Sequence, residues 1–373
     1  MRRWMALSAA IVCLVGIAAA CAPPGAPAGS SGAPAPSTAS PSSPAPATPS
    51  GAALPGLPPI DTARVDAIRV AWTAASGAQA PVWIAYEGGY FRRYGLDVEL
   101  TFIASSTAAV QALLADELQF ATCAGGAVVA SRVGGGDTKI VAGAVNVPAF
   151  YLMAHPSIRS VDDLRGRRIA IDRRGASQEV AARLVLRARG LDPDRDVLWI
   201  SVGGGFLEIL ASLDSGAADA GNFSSPTNLE ARKRGYVELV DIAAQGIPYQ
   251  GSCIMARESF LNARPEVARK FIRAYVDALH RYKTDEDFSI RVLTQYTKIE
   301  DPEIQRATWQ YYAREVMPEI PYATLPGIQT VIEEVAATNP RAASYPPEEF
   351  VDDRFVRELE AAGYFDQLYG RRP

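Results

Sequence analysis

From Ile68 onward, short apolar runs alternate with segments whose apolar residues recur at helical spacing, and the alternation repeats. Residues 68–72 read as a buried strand, a helix starts near Pro81, residues 96–103 form a second strand and residues 106–116 a second helix. Short strands over 120–123 and 139–145 continue the series. A second series opens near Asp162: strand 168–172, a helix over 177–190 ending at Gly190, strand 197–202, a helix from Phe206, strand 218–223, a helix over 226–235 and strand 237–243. Residues 251–256 read as one more strand. Beyond Arg264 the pattern is helical, beginning with Val267, Phe271, Tyr275 and Leu279 on one stripe, and later helices are broken by Pro318, Pro321, Pro340, Pro346 and Pro347. Parallel strands need helical crossovers, so the plan is α/β, with two small lobes and C-terminal helices.

The first 60 residues differ in kind. Arg2 and Arg3 precede an apolar run to Ala20, shorter than a comfortable membrane span and ending Ala18-Ala19-Ala20-Cys21. This resembles a bacterial lipoprotein signal of residues 1–20, with Cys21 as the lipidated residue, although Ala18 stands where leucine is usual. The alternative is an ordinary signal peptide cut at an Ala-x-Ala site. Residues 22–59 are almost wholly Ala, Pro, Ser, Gly and Thr, which cannot form a core, so residues 21–64 read as a semi-stiff tether and folding should begin near Asp66.

Composition narrows the chemistry. The 373 residues carry 37 basic and 41 acidic side chains, leaving no positive excess for nucleic acid or an anionic membrane face. Two histidines, His155 and His280, lie far apart, and the four cysteines show no metal-ligand spacing, so no metal or cofactor is implied. No G-x-x-x-x-G-K-[ST] sequence is present.

Four segments occur in an order and spacing that carry a resemblance. Residues 85–98 (AYEGGYFRRYGLDV), 163–170 (DLRGRRIA), 190–193 (GLDP) and 215–220 (SGAADA) resemble matching segments of the NMT1/THI5-like and aliphatic-sulfonate-type (SsuA-like) substrate-binding proteins of ABC transporters. The resemblance spans roughly residues 68–285. It implies a type II periplasmic-binding-protein fold: lobe 1 from 65–150 and 251–373, lobe 2 from 151–250, joined by two crossing strands, with a small molecule held between them. It also implies permease subunits and a separate ATPase as partners, a monomer, and a location outside the cytoplasmic membrane with the lipid as sole anchor. A desulfinase or pyrimidine-biosynthesis enzyme of the same fold, or a ligand-presenting sensor, is the alternative.

Ligands of open α/β sheets bind beyond the carboxyl ends of the strands, where helix N-termini also point. That rule selects Ser76, Gln79 and Trp83 after the first strand, Ser105 and Ser106 after the second, Gly125, Asn146, then Gly175, Ser177, Asn222 and Phe223 in the second series, and Tyr249 at the return crossing. Each has a structural alternative: the serines as helix caps, the glycines as turns, the aromatics as lobe packing, Asn222 as a local backbone bridge. These loops are poor in acid–base pairs and suit either a small organic anion, such as a sulfonate or carboxylate, or a flat heterocycle. In the implied fold the return strand lies antiparallel to the third strand, making Cys123 and Cys253 neighbours, either bridged or as two reduced thiols.

Overall fold

Among the described residues ten strands form, most of them from apolar runs long enough to be covered on both faces. They are β1 (Asp66–Trp72), β2 (Leu96–Phe102), β3 (Phe120–Ala124), β4 (Thr138–Gly143), β5 (Tyr151–Ala154), β6 (Arg168–Ile171), β7 (Leu198–Ser201), β8 (Ala220–Phe223), β9 (Val237–Asp241) and β10 (Ser252–Arg257). The computed structural model describes residue 57 and residues 59–371. The predicted signal peptide, Cys21 and nearly all of the proline-rich tether lie outside the described residues. No helix among the described residues is long and apolar enough to cross a membrane.

The strands make two five-stranded sheets with the same plan, ordered β2-β1-β3-β10-β4 and β7-β6-β8-β5-β9. In each sheet the first three strands are parallel, and one strand runs antiparallel between the third and the last. That inserted strand always adjoins a crossing. β5 follows the outward crossing from the first lobe, and β10 follows the return. The crossings are tied to each other: the Ala144 and Val145 amides donate to the Ser252 carbonyl at 2.9 and 3.0 Å, and the Gly251 amide donates to Val145 O at 3.0 Å.

Contact with the body begins upstream of β1, where the Lys270 ammonium donates to the Arg64 carbonyl at 2.6 Å and pairs with Asp66 at 2.9 Å. Helix Pro265–Thr284 lies across the first sheet and buries its predicted stripe, with Phe271 stacked on Phe120 of β3 at 3.9 Å between ring centroids. Helix Glu286–Thr297 continues the helical pattern beyond Arg264 and buries Val292 and Leu293, and Asp285 starts it by accepting from the Phe288 amide. One C-terminal feature departs from the pattern. The pattern from Glu303 to Glu315 reads as one helix, but the chain is α-helical only for Pro302–Trp309 and then widens into π turns over Gln310–Val316. Lys283 reaches into those turns from the neighbouring helix and donates to the Ala313 and Met317 carbonyls at 2.6 and 2.7 Å.

Cys123 and Cys253 stand opposite each other in the β3–β10 register, their Cα atoms 5.0 Å apart, and form a disulfide. The bond closes a span of 130 residues that contains the entire second lobe. Loop-closure entropy for a span above 100 residues corresponds to roughly 4–5 kcal/mol. Reduction of the folded protein, or a Cys123→Ser/Cys253→Ser double variant, should therefore lower the melting temperature by several degrees in calorimetry, and intact mass under non-reducing conditions should be two hydrogens below the reduced value.

Candidate functional site

The carboxyl ends of both sheets face a single cavity of about 800 Å³. Several helices begin at its edge, and the starts of four of them differ. At Ser106–Leu114, Ser105 caps conventionally, its Oγ accepting from the Ala108 amide at 3.0 Å, while the Ser106 hydroxyl accepts from the Ala124 amide at the end of β3. Helices Gly125–Val133, Ser177–Ala188 and Phe206–Asp214 begin at alanine or glycine, with no capping side chain at that position. Gly125 is required there, because a Cβ would stand 2.6 Å from the Gln250 carbonyl on the return crossing.

Of the residues selected from sequence, Ser76, Gln79, Ser105, Ser106, Gly175, Ser177 and Tyr249 line this cavity. The other five lie behind its wall. Trp83 is fully buried in the first lobe, stacked on Tyr296 at 4.8 Å between centroids. Asn146 donates to the Tyr322 carbonyl, and Gly125 is packed against Gln250. Asn222 donates to the Gln178 carbonyl at 2.6 Å and so ties β8 to the first turn of helix Ser177–Ala188; Phe223 belongs to the second-lobe core.

Several lining residues had no sequence signal. Tyr312, on the π turns, lies within 3.2 Å of the Ser76 hydroxyl, and burial pushes its phenol up to about 12. Trp72 and Phe102, ends of adjacent strands, pack at 4.2 Å and face the cavity together with Tyr296. Helix Leu325–Ala336 contributes Val331, Glu334 and Val335, and packs on helix Gly125–Val133 of the first lobe. One signal was available: Glu179, Arg183 and Arg187 recur at four-residue spacing and mark a charged face of helix Ser177–Ala188.

That face is nearly self-neutralising. Glu179 is buried and accepts from Arg183 at 2.6 Å, Arg174 at 3.2 Å and the Gly175 amide at 2.7 Å; Arg183 also reaches Asp194 at 2.9 Å. Arg187 crosses the cleft to Glu334 at 3.4 Å. Burial holds the carboxyls of Glu334 and Asp172 above their ordinary range, despite Arg187 beside the first and Arg173 beside the second.

The lobes also touch directly. The Gly77 amide and the Ser76 hydroxyl both donate to the Ser225 carbonyl, at 3.1 and 3.4 Å; Tyr311 packs on Tyr151 of β5; and Lys233 pairs with Asp301.

A family model described as NMT1/THI5 like matches residues 77–285, more than half of the chain. The chain belongs to the NMT1/THI5-like family. Among its relatives is a riboflavin-binding protein, RibY, of Chloroflexus aurantiacus, 25% identical over 238 residues, which are 62% of this chain and 67% of that one. Among solved structures, the alkanesulfonate-binding protein SsuA of Xanthomonas axonopodis pv. citri bound to MOPS superposes with a TM-score of 0.62 at 16% identity, covering 79% of this chain and 97% of that one. The nitrate-binding protein NrtA of Synechocystis PCC 6803 gives 0.65 at 15% identity, covering 82% and 91%. The two-lobed periplasmic-binding-protein fold expected from the sequence is thus the fold found.

Asp172 allows a direct test of the cleft's electrostatics. A carboxyl whose folded pKa is raised stabilises the protein most below its unfolded pKa, about 4, and loses that contribution as pH rises through the folded value. Ligand-free Asp172→Asn should therefore melt above the parent protein at pH 7, and the difference should vanish as pH falls toward 4. A melting difference independent of pH would contradict it.

Proposed function

We propose that this NMT1/THI5-like protein is an extracytoplasmic solute-binding protein of an ABC importer, capturing a small organic molecule between its lobes. One observation carries the reading: a single cavity lies at the carboxyl ends of both sheets, lined from both lobes, with paired crossing segments behind it. A solute touching both walls favours the closed arrangement, because only there are both sets of contacts made. The names of the relatives point the same way, since RibY, SsuA and NrtA are each described as binding proteins. In this reading the solute passes to membrane permease subunits driven by a separate ATPase. The chain acts as a monomer held to the outer face of the membrane by a lipid on Cys21, with the proline-rich segment as its tether.

The enzyme alternative needs an activated nucleophile. Cys123, the cysteine of the cavity lining, is spent in the disulfide, and no histidine is among the described lining residues. A sensor would use the same cleft and differ in its membrane partner.

Three measurements test the proposal. Small-angle scattering should show a smaller radius of gyration when solute is present, and native mass spectrometry of freshly purified protein should show a bound molecule of defined mass. Cys21→Ser should abolish labelling by radioactive palmitate and release the protein from membranes while leaving solute affinity unchanged; a variant still labelled would remove Cys21 from the anchor.

A further inference from the structure

The reading of the cleft as a solute site leaves the kind of solute open, and the charge arrangement of its walls narrows it. The arginines of the lining are already engaged: Arg174 and Arg183 by Glu179 and Asp194, Arg187 by Glu334, while Arg173 stands 3.8 Å from Asp172. Lys298, the remaining cation of the lining, is exposed to solvent, and Glu208 offsets it in the balance of charge. An entering anion would have to share these arginines with carboxylates that already balance their charge. Drawing Arg183 away would leave the buried Glu179 with only the exposed Arg174 and the Gly175 amide as partners, and weakening a buried pair in this way costs more than a surface pair returns.

Helix N-termini ordinarily attract anions, but two of those at the cleft are met by the protein's own acids. Glu179 accepts from the Gly175 amide before helix Ser177–Ala188, and the Asp172 carboxyl lies near the Gly205 amide before helix Phe206–Asp214. The positive ends that would hold a sulfonate or carboxylate in the second lobe are therefore compensated already.

What the cavity leaves unsatisfied is neutral. The Ser224 side chain lines it, is 97% buried by residue, and its hydroxyl has no hydrogen-bond partner of good geometry. It sits with the Ser76 hydroxyl beside the Tyr312 phenol, where the two lobes meet. A buried hydroxyl without a partner in a native cavity asks for one from the occupant. The remaining walls offer rings: Trp72 with Phe102, Tyr296, Phe206 and Tyr249. At about 800 Å³ the space suits a molecule of drug-like size and greatly exceeds an inorganic oxyanion.

We infer that the solute is an uncharged, partly aromatic molecule carrying hydroxyl or amide groups, and that Ser224, supported by Ser76 and Tyr312, hydrogen-bonds one of those groups.

The test uses three probes that share one ring system: quinoline-3-carboxamide, quinoline-3-carboxylate and quinoline-3-sulfonate, titrated calorimetrically into the full mature chain freed of bound solute by unfolding and refolding. The amide should bind at least about tenfold more tightly than either anion. Ser224→Ala, checked for an unchanged melting temperature, should weaken the amide about fivefold, the scale of one neutral hydrogen bond, and leave any anion binding unmoved. In parallel, the solute released on denaturing freshly purified protein should be neutral at pH 7 and absorb in the near ultraviolet. Tighter binding of either anion, release of an anionic solute, or an amide indifferent to Ser224→Ala would overturn the solute class and leave the receptor reading standing. Absence of both a released solute and any bound probe would overturn both.

Discussion

Everything at the cleft depends on how the chain passes between its sheets. The outward crossing and the return crossing share backbone hydrogen bonds, with Ala144 and Val145 on Ser252 and Gly251 on Val145. Each crossing then adjoins an antiparallel strand placed between the third and last strands of a sheet. This fixes both sheets relative to the crossings and points their carboxyl ends at the same space. It also requires small residues where backbones nearly touch, as at Gly125 against Gln250. The disulfide at the β3–β10 register fastens the return strand just past the crossing, leaving the short crossing segments, 145–150 and 247–251, as the places where the chain can bend.

The lobes that the crossings join are the most legible part of the sequence. The alternation of strands and helices, the resemblance through residues 85–98 and 163–170, and the approach of Cys123 to Cys253 all follow from local pattern and the fold it implies. Loop positions after the strands were legible in kind as well, and for that reason Ser76, Gln79, Gly175 and Tyr249 reach the cavity. Failures came where one residue more or less along a strand or helix turns a side chain to the other side. Asn222 and Phe223 end β8 and point into the lobe, whereas Ser224, the next residue, lines the cleft. Trp83 sits in the second turn of its helix, already beyond reach of the opening.

Tyr312, Tyr296 and Glu334 illustrate a different limit. They belong to C-terminal helices whose packing stripes say which face is buried, not which lobe edge it meets. The π turns that carry Tyr311 and Tyr312 depend on Lys283 reaching the Ala313 and Met317 carbonyls, a contact across about 30 residues that no local pattern encodes. One widened segment thereby sends Tyr311 toward Tyr151 of the second lobe and Tyr312 toward Ser76 of the first.

The strength of the direct lobe–lobe contacts decides how much a solute matters. Arg187 with Glu334 and Lys233 with Asp301 are partly exposed ion pairs, a class that contributes little because solvent screens it. The Ser225 carbonyl serves both the Gly77 amide and the Ser76 hydroxyl, so its two hydrogen bonds share one acceptor. Glu334 opposes closure to some degree as well, since burying its charge raises its pKa more than Arg187 lowers it. Empty, the lobes are held by small terms of mixed sign. A solute that satisfies Ser224 and covers the facing rings adds contacts from both walls at once, and a modest gain of that kind is enough to set which arrangement predominates.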